Sequence, residues 1–163
     1  MADNTQDFSP VQGAGASDDT QPSMQLLAQY VKDLSFENPG IGENVQRPQI
    51  DLGVDVQVRR APDRPQFEVV LKMRVTAAQE TKTLFLLELA YAGVFVLNNI
   101  LEPDMQPILL IECPRLLFPF ARRIVADVVR DGNLPPLMLD PIDFSMLYRA
   151  KLEETQNGQA PAN

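Results

Sequence analysis

The sequence predicts an α+β fold: a four-stranded antiparallel sheet with two helices packed on one of its faces. Three observations carry that prediction. From about Met24 to Leu97 apolar residues recur at every second position, the period of a half-buried strand. From Cys113 onward the apolar period lengthens to that of a helix. Strands first and helices second is the order that gathers helices on one face of a sheet.

The first strand spans Met24 to Glu37. Its even positions Met24, Leu26, Ala28, Tyr30, Leu34 and Phe36 are apolar, with Lys32 the exception, while Gln25, Gln29, Asp33, Ser35 and Glu37 fill the odd ones. The second alternates more cleanly, Ile50, Leu52, Val54, Val56 and Val58 against Asp51, Gly53, Asp55, Gln57 and Arg59. Ala61-Pro62-Asp63-Arg64-Pro65 is turn chemistry and joins it to a third. There Phe67, Val69, Leu71, Met73 and Val75 oppose Gln66, Glu68, Lys72, Arg74 and Thr76. The fourth, Thr83 to Leu97, sets Phe85, Leu87, Leu89, Tyr91 and Phe95 on one face. Its other face carries Leu84, Leu86, Glu88, Ala90 and Val94, so this strand is apolar on both sides.

An irregular crossing is expected from Asn98 to Glu112, and then a helix within CPRLLFPFARRIVADVVRDG, residues 113–132. Pro119 suits an opening turn, where the amide hydrogen it lacks has no partner. Ile124, Val125, Val128 and Val129 follow at helical spacing, and Asp131-Gly132 reads as a left-handed stop. In the last helix Asp140 is the expected N-cap and Pro141 the first residue, with Asp143 near the positive helix end. That helix runs to about Glu154 with Ile142, Met146 and Leu147 turned inward.

With 163 residues the chain has the length of one domain, and it contains one cysteine and no histidine. Ser-His-Asp and Cys-His catalysis, the common zinc sites and an intrachain disulfide are thereby excluded, and no metal or cofactor is expected. Gly13-Ala14-Gly15 and Gly40-Ile41-Gly42 lack the rest of a phosphate-loop pattern. A net charge of −8, of which residues 1–23 carry −4 and residues 151–163 carry −1, disfavours nucleic acid as a partner. Any electrostatic partner of the mildly acidic body should be basic. Residues 1–23 and 155–163 have the composition of disordered tails flanking a domain at 24–154. No signal peptide and no apolar run of spanning length is visible, so a soluble cytoplasmic protein is expected, without membrane insertion.

Two helices cannot cover this much apolar surface. An oligomer is therefore expected, built through the faces of Leu87, Leu89 and Tyr91 and the helix holding Ile124 and Val128.

Five segments in succession resemble the bacterial export chaperone family SecB: YVKDLSFENP (30–39), FEVVLKMRVTA (67–77), FLLELAYAGVF (85–95), LLFPFARR (116–123) and LDPIDFSMLY (139–148). The resemblance covers about Met24 to Leu152. It implies a SecB-like sheet-and-helix protomer that assembles as a dimer of dimers. It further implies an ATP-independent role: holding precursor proteins unfolded and delivering them to the translocation ATPase SecA. By the same resemblance, Asp33, Glu37, Leu86 and Glu88 match the outer-face positions that contact SecA, and alternation had already turned each of them outward. Ile50, Leu52 and Val54 match apolar groove positions for clients, with Phe36, Phe85, Phe118, Phe144 and Met146 as nearby candidates. Two alternatives stand beside this reading: a SecB-like chaperone dedicated to one client such as an antitoxin, and an enzyme using Asp140 with Asp143 as acid and base.

Overall fold

The computed structural model describes residues 20–39 and 48–157. Four strands, β1 (Ser23–Glu37), β2 (Gln49–Arg60), β3 (Gln66–Gln79) and β4 (Lys82–Asn98), form one antiparallel sheet in the order β1-β4-β3-β2. The helical part follows: α1 (Glu102–Pro107), a π-helical turn (Ile108–Glu112), α2 (Cys113–Asp131) and α3 (Phe144–Asn157). The α+β prediction holds, with the main helix lying across β4 and β3.

The doubly apolar β4 has a structural reason. It is central, pairing with β1 from Leu86 to Asn98 on one side and with β3 from Lys82 to Val96 on the other. Its inward residues Leu87, Leu89 and Phe95 meet Leu117, Val125 and Val129 of α2 in the main core. Gly93 allows that approach, because a Cβ there would lie 2.8 Å from Leu117 Cδ2. Cys113 is buried in the same layer, and burial pushes its thiol pKa up to about 12, so it packs as a small apolar residue.

β1 departs from simple alternation. Register shifts between Leu26 and Ala28 and between Val31 and Asp33 mark two bulges. Between them parity is reversed: Val31 pairs with Tyr91 on the helix side, and Tyr30 pairs with Ala92 on the outer side. Ala28 and Tyr30 therefore do not face the core, and Lys32 is an exception in the sequence pattern because it sits at a bulge. The second shift restores the original parity, returning Leu34 and Phe36 to the helix side.

A polar strap ties this bulged edge strand across β4 to β3. Lys32 Nζ donates to both carboxylate oxygens of Glu68, at 2.7 and 2.8 Å, and the Tyr30 hydroxyl donates to Glu68 Oε1. The Lys32 and Tyr30 hydrogen bonds hold the Glu68 pKa below the usual carboxylate value. A carboxylate lowered on folding stabilises the native state above its unfolded pKa, and that contribution is lost as pH falls through the folded pKa. Glu68→Gln should therefore cost about 1 kcal/mol or less at pH 7. The difference from wild type should shrink as pH falls towards and through the folded Glu68 pKa, as read by urea melts at pH 7 and pH 3.

The helical region begins earlier than expected. The crossing placed at Asn98 to Glu112 is irregular only to Leu101, and helix then runs without interruption from Glu102 to Asp131. Pro119 lies inside α2 rather than in its first turn, a position now held by Pro114. Pro119 is exposed, so its ring and missing donor disturb the solvent side of the helix and leave the packed side intact. Pro107 and Pro114 bracket the π turn, in which Cys113 N–H reaches back to the Ile108 carbonyl. Two missing donors seven residues apart favour that wider turn.

Two helix ends also differ from the sequence reading. Gly132 has φ −75°, and the left-handed residue is Asn133 at φ 61°. Glycine is needed at 132 for space, since a Cβ would lie 2.6 Å from the Phe36 ring. The cap of α3 is Asp143, not Asp140: its Oδ1 accepts from Ser145 N at 3.0 Å and Met146 N at 3.2 Å. Phe144 is the buried anchor of α3, while Met146 (65% exposed) faces outward and Leu147 stays 38% exposed in a compartment beside β2, contrary to expectation. Of the expected tails, Ser23 already belongs to β1 and Thr155 to Asn157 continue α3; residues 1–19 and 158–163 lie outside the described residues.

Candidate functional site

Among the described residues the sheet has one face covered by helices and one open face, and the candidate residues divide between them. Asp33, Glu37, Leu86 and Glu88 all lie on the open face. Glu37 pairs with Leu86, Ser35 with Glu88 and Asp33 with Ala90, so three adjacent rows bring the four side chains together. Continuing those rows across β3 and β2 adds Asp51 opposite Thr76 and Asp55 opposite Lys72. Sequence reasoning left out these two acids, although β2 alternation had put both on its polar face. Gly53, opposite Arg74, leaves a shallow depression of about 490 Å³ lined by Asp33, Asp55, Lys72, Arg74 and Glu88. Glu88 is not a free acid there, since Arg74 Nη1 stands 3.2 Å from its Oε1.

The helix side holds an open apolar channel along β2. Ile50, Leu52, Val54 and Val56 are half-buried and rest on the core without being covered by it. One compartment, about 240 Å³, lies between Val54 and Val56 of β2, Leu110 of the π turn, and Leu147 and Tyr148 of α3. A second, about 760 Å³, continues along Val56 and Val58 past Phe67, Met105 and Leu109. The composition of the crossing hid Met105, Leu109 and Leu110, because a helical crossing was not foreseen. Their approximate three- and four-residue spacing was the available signal.

The other groove candidates are placed differently. Phe36 is half-buried and its ring lies 5.8 Å from that of Phe85. Phe85, Phe118 and Phe144 are buried within the chain, the last two edge to face at 6.1 Å, and none of the three lines either compartment. Met146 is exposed on α3.

The expected oligomer-face residues divide by burial. Leu87, Leu89 and Tyr91 are buried within the protomer, packed in one core with residues of α2, with Leu87 at 0% exposure. Sheet alternation marks a buried face but cannot say which element buries it. Ile124 and Val128 are half-buried on α2. The uncovered apolar residues nearby are Leu116 and Phe120 of α2, with Val31 and Leu34 of β1. Phe120 stacks on Tyr91 with ring centroids 6.4 Å apart. Asp143, one of the two carboxylates in the enzyme alternative, is engaged in capping α3.

Comparison with known proteins adds the following. The family described as preprotein translocase subunit SecB matches residues 17–155. The protein-export protein SecB of Maricaulis maris is 58% identical over 135 residues, which is 80% of this chain and 78% of that protein. Its counterpart in Azorhizobium caulinodans is 48% identical, spanning 91% of this chain and 95% of that protein. Among solved structures, a SecB-like chaperone of Mycobacterium tuberculosis in complex with an antitoxin peptide superposes with a TM-score of 0.64. It is 18% identical, covering 73% of this chain and 90% of that one, a likeness of fold.

Proposed function

The chain belongs to the SecB family of protein-export proteins, and from that footing we propose that it is a cytoplasmic holding chaperone for unfolded precursors. Clients lie as extended segments along the β2 channel, no nucleotide is consumed, and the loaded protein is passed to SecA through the acidic open face. The observation that carries this reading is the family match over residues 17–155. The geometry supports it: the uncovered apolar channel and the acidic surface are opposite faces of one sheet, so client and acceptor need not compete. Half-exposed Leu and Val side chains can each gain part of the roughly 1.5–3 kcal/mol of full burial when a client covers them. That gain depends on apolar area and not on a particular client sequence, as a general holdase requires. The dedicated-client alternative is not favoured, since the relatives of high identity are named for protein export and the antitoxin-bound structure shares only 18% identity.

Assembly as a tetramer belongs to the same proposal. Leu116, Phe120, Val31 and Leu34 form an apolar surface on the helix side of the sheet. Stacking two such layers would cover it and leave the acidic faces outside.

The holding reading is tested by refolding kinetics of a slowly folding precursor without nucleotide. Wild type in molar excess should delay refolding severalfold. Leu52→Asp combined with Val54→Asp should largely remove the delay, because two carboxylates would have to be desolvated beneath a bound chain. Both side chains are only half-buried on an edge strand, so the variant should keep its fold by circular dichroism. A wild type that never slows refolding would end the proposal.

A further inference from the structure

Lys151 sits where the two compartments of the channel meet. Val56, Leu110 and Lys151 line both of them, and Lys151 is the one charged side chain of the three. Its ammonium lies 3.2 Å from Asp55 Oδ1 and 3.5 Å from the Val56 carbonyl oxygen. β2 is an edge strand whose partner is β3, so a carbonyl that accepts from α3 points to the free edge of the sheet. Lys151 thus ties the middle of α3 to the edge that an extended chain would follow. The buried anchor of α3 is Phe144, two turns earlier, and Leu152, one residue beyond the tie, is exposed.

We propose that Lys151 is a latch that divides the client channel, and that a client spanning both compartments must first displace it from Asp55 and the Val56 carbonyl. The inference rests on the holding function proposed above. The latch is suited to opening: both partners are about half exposed, 57% and 49%, so the pair is weak and is screened by salt. Closed, it keeps α3 against β2 and shortens the apolar surface that an empty chaperone presents to solvent. Released, it exposes one channel running from Val54 to Val58, which favours clients whose apolar stretch is long over those that fill a single compartment.

Four variants test this: Lys151→Gln and Asp55→Asn remove the tie, Lys151→Arg preserves it, and Leu52→Asp with Val54→Asp serves as the channel-negative control. The probes are a long unfolded precursor, a short apolar peptide, and hydrogen exchange in α3. At low salt Lys151→Gln and Asp55→Asn should bind the long precursor about two- to fivefold more tightly than wild type, the range expected for breaking an exposed pair. The short peptide should be unaffected, α3 amides beyond Lys151 should exchange faster, and Lys151→Arg should match wild type. Raising salt to about 0.5 M should bring the ratio of variant to wild-type affinity towards one, because the tie is then screened in the wild type as well. Equal precursor affinity and equal α3 exchange in wild type, Lys151→Gln and Asp55→Asn would overturn the latch while leaving the holding function intact. Faster α3 exchange in those variants, with no precursor binding by any protein, would overturn the holding function and the latch with it, leaving only a tie between α3 and β2.

Discussion

Reversing Asp33, Glu37 and Glu88 together to lysine should abolish binding to SecA while leaving the fold and client holding unchanged. These side chains share the open face of the sheet, on adjacent rows, and take no part in the core. A basic partner segment facing them would gain about 0–1 kcal/mol from each exposed pair, so single reversals weaken binding modestly and three together remove it. The order of the single effects follows from the structure. Glu88 is already partly neutralised by Arg74 at 3.2 Å, so Glu88→Lys should cost less than Asp33→Lys or Glu37→Lys. Affinity should also fall as ionic strength rises, since the Debye length is only about 8 Å at 0.15 M. Titration calorimetry of the single and triple variants against SecA at two salt concentrations decides this. Unchanged affinity throughout would place the acceptor site on another surface.

Leu89→Arg should unfold the protein, whereas Phe120→Glu should leave it folded and lower its assembly state. Leu89 is 2% exposed beneath the chain's own helical layer. An arginine there loses the packing of the leucine and leaves a charge without a partner, together about 3–5 kcal/mol, against a domain stability of about 5–15 kcal/mol. Phe120 is 42% exposed on α2, so a carboxylate there stays hydrated in the free protomer. In a stacked assembly it would be desolvated, and dissociation relieves that cost. Circular dichroism melts and sedimentation velocity at micromolar concentration distinguish the two outcomes. A folded Leu89→Arg dimer would show that Leu89 lies at a subunit interface after all. A Phe120→Glu protein of wild-type size would exclude this part of α2 from the assembly.

The open-face candidates were legible because each sits where strand parity survives. Glu37 and Asp33 lie beyond both bulges of β1, and Leu86 and Glu88 lie on unbulged β4, so alternation placed all four correctly. The channel was half legible. Ile50, Leu52 and Val54 of its β2 wall follow the period of two, but its opposite wall comes from the π turn and α3. No local pattern announces that Leu110, Leu147 and Lys151 will meet β2, since that contact is set by the path of the chain between distant elements.

By itself, then, the sequence determined the four strands, their antiparallel sheet, its polar and apolar faces, and the order of strands before helices. Each of these follows from a local period that water enforces on every half-buried element. The tertiary structure decided what covers each apolar face: α2 of the same chain over Leu87 and Leu89, and, among the described residues, only partial cover over Leu52, Val54 and Phe120. It also decided where helices begin. A proline or an aspartate fits several positions near a helix start, and packing of Phe144 and Pro114 into the core selects among them. The two bulges of β1 escaped the pattern for a simpler reason. Each shifts parity by one residue, so together they cancel, and the reversed stretch at Tyr30 and Val31 is held by its pairing to Ala92 and Tyr91 and by the strap to Glu68. Alternation shows that a face is apolar; only contacts between elements distant in the chain settle what lies against it.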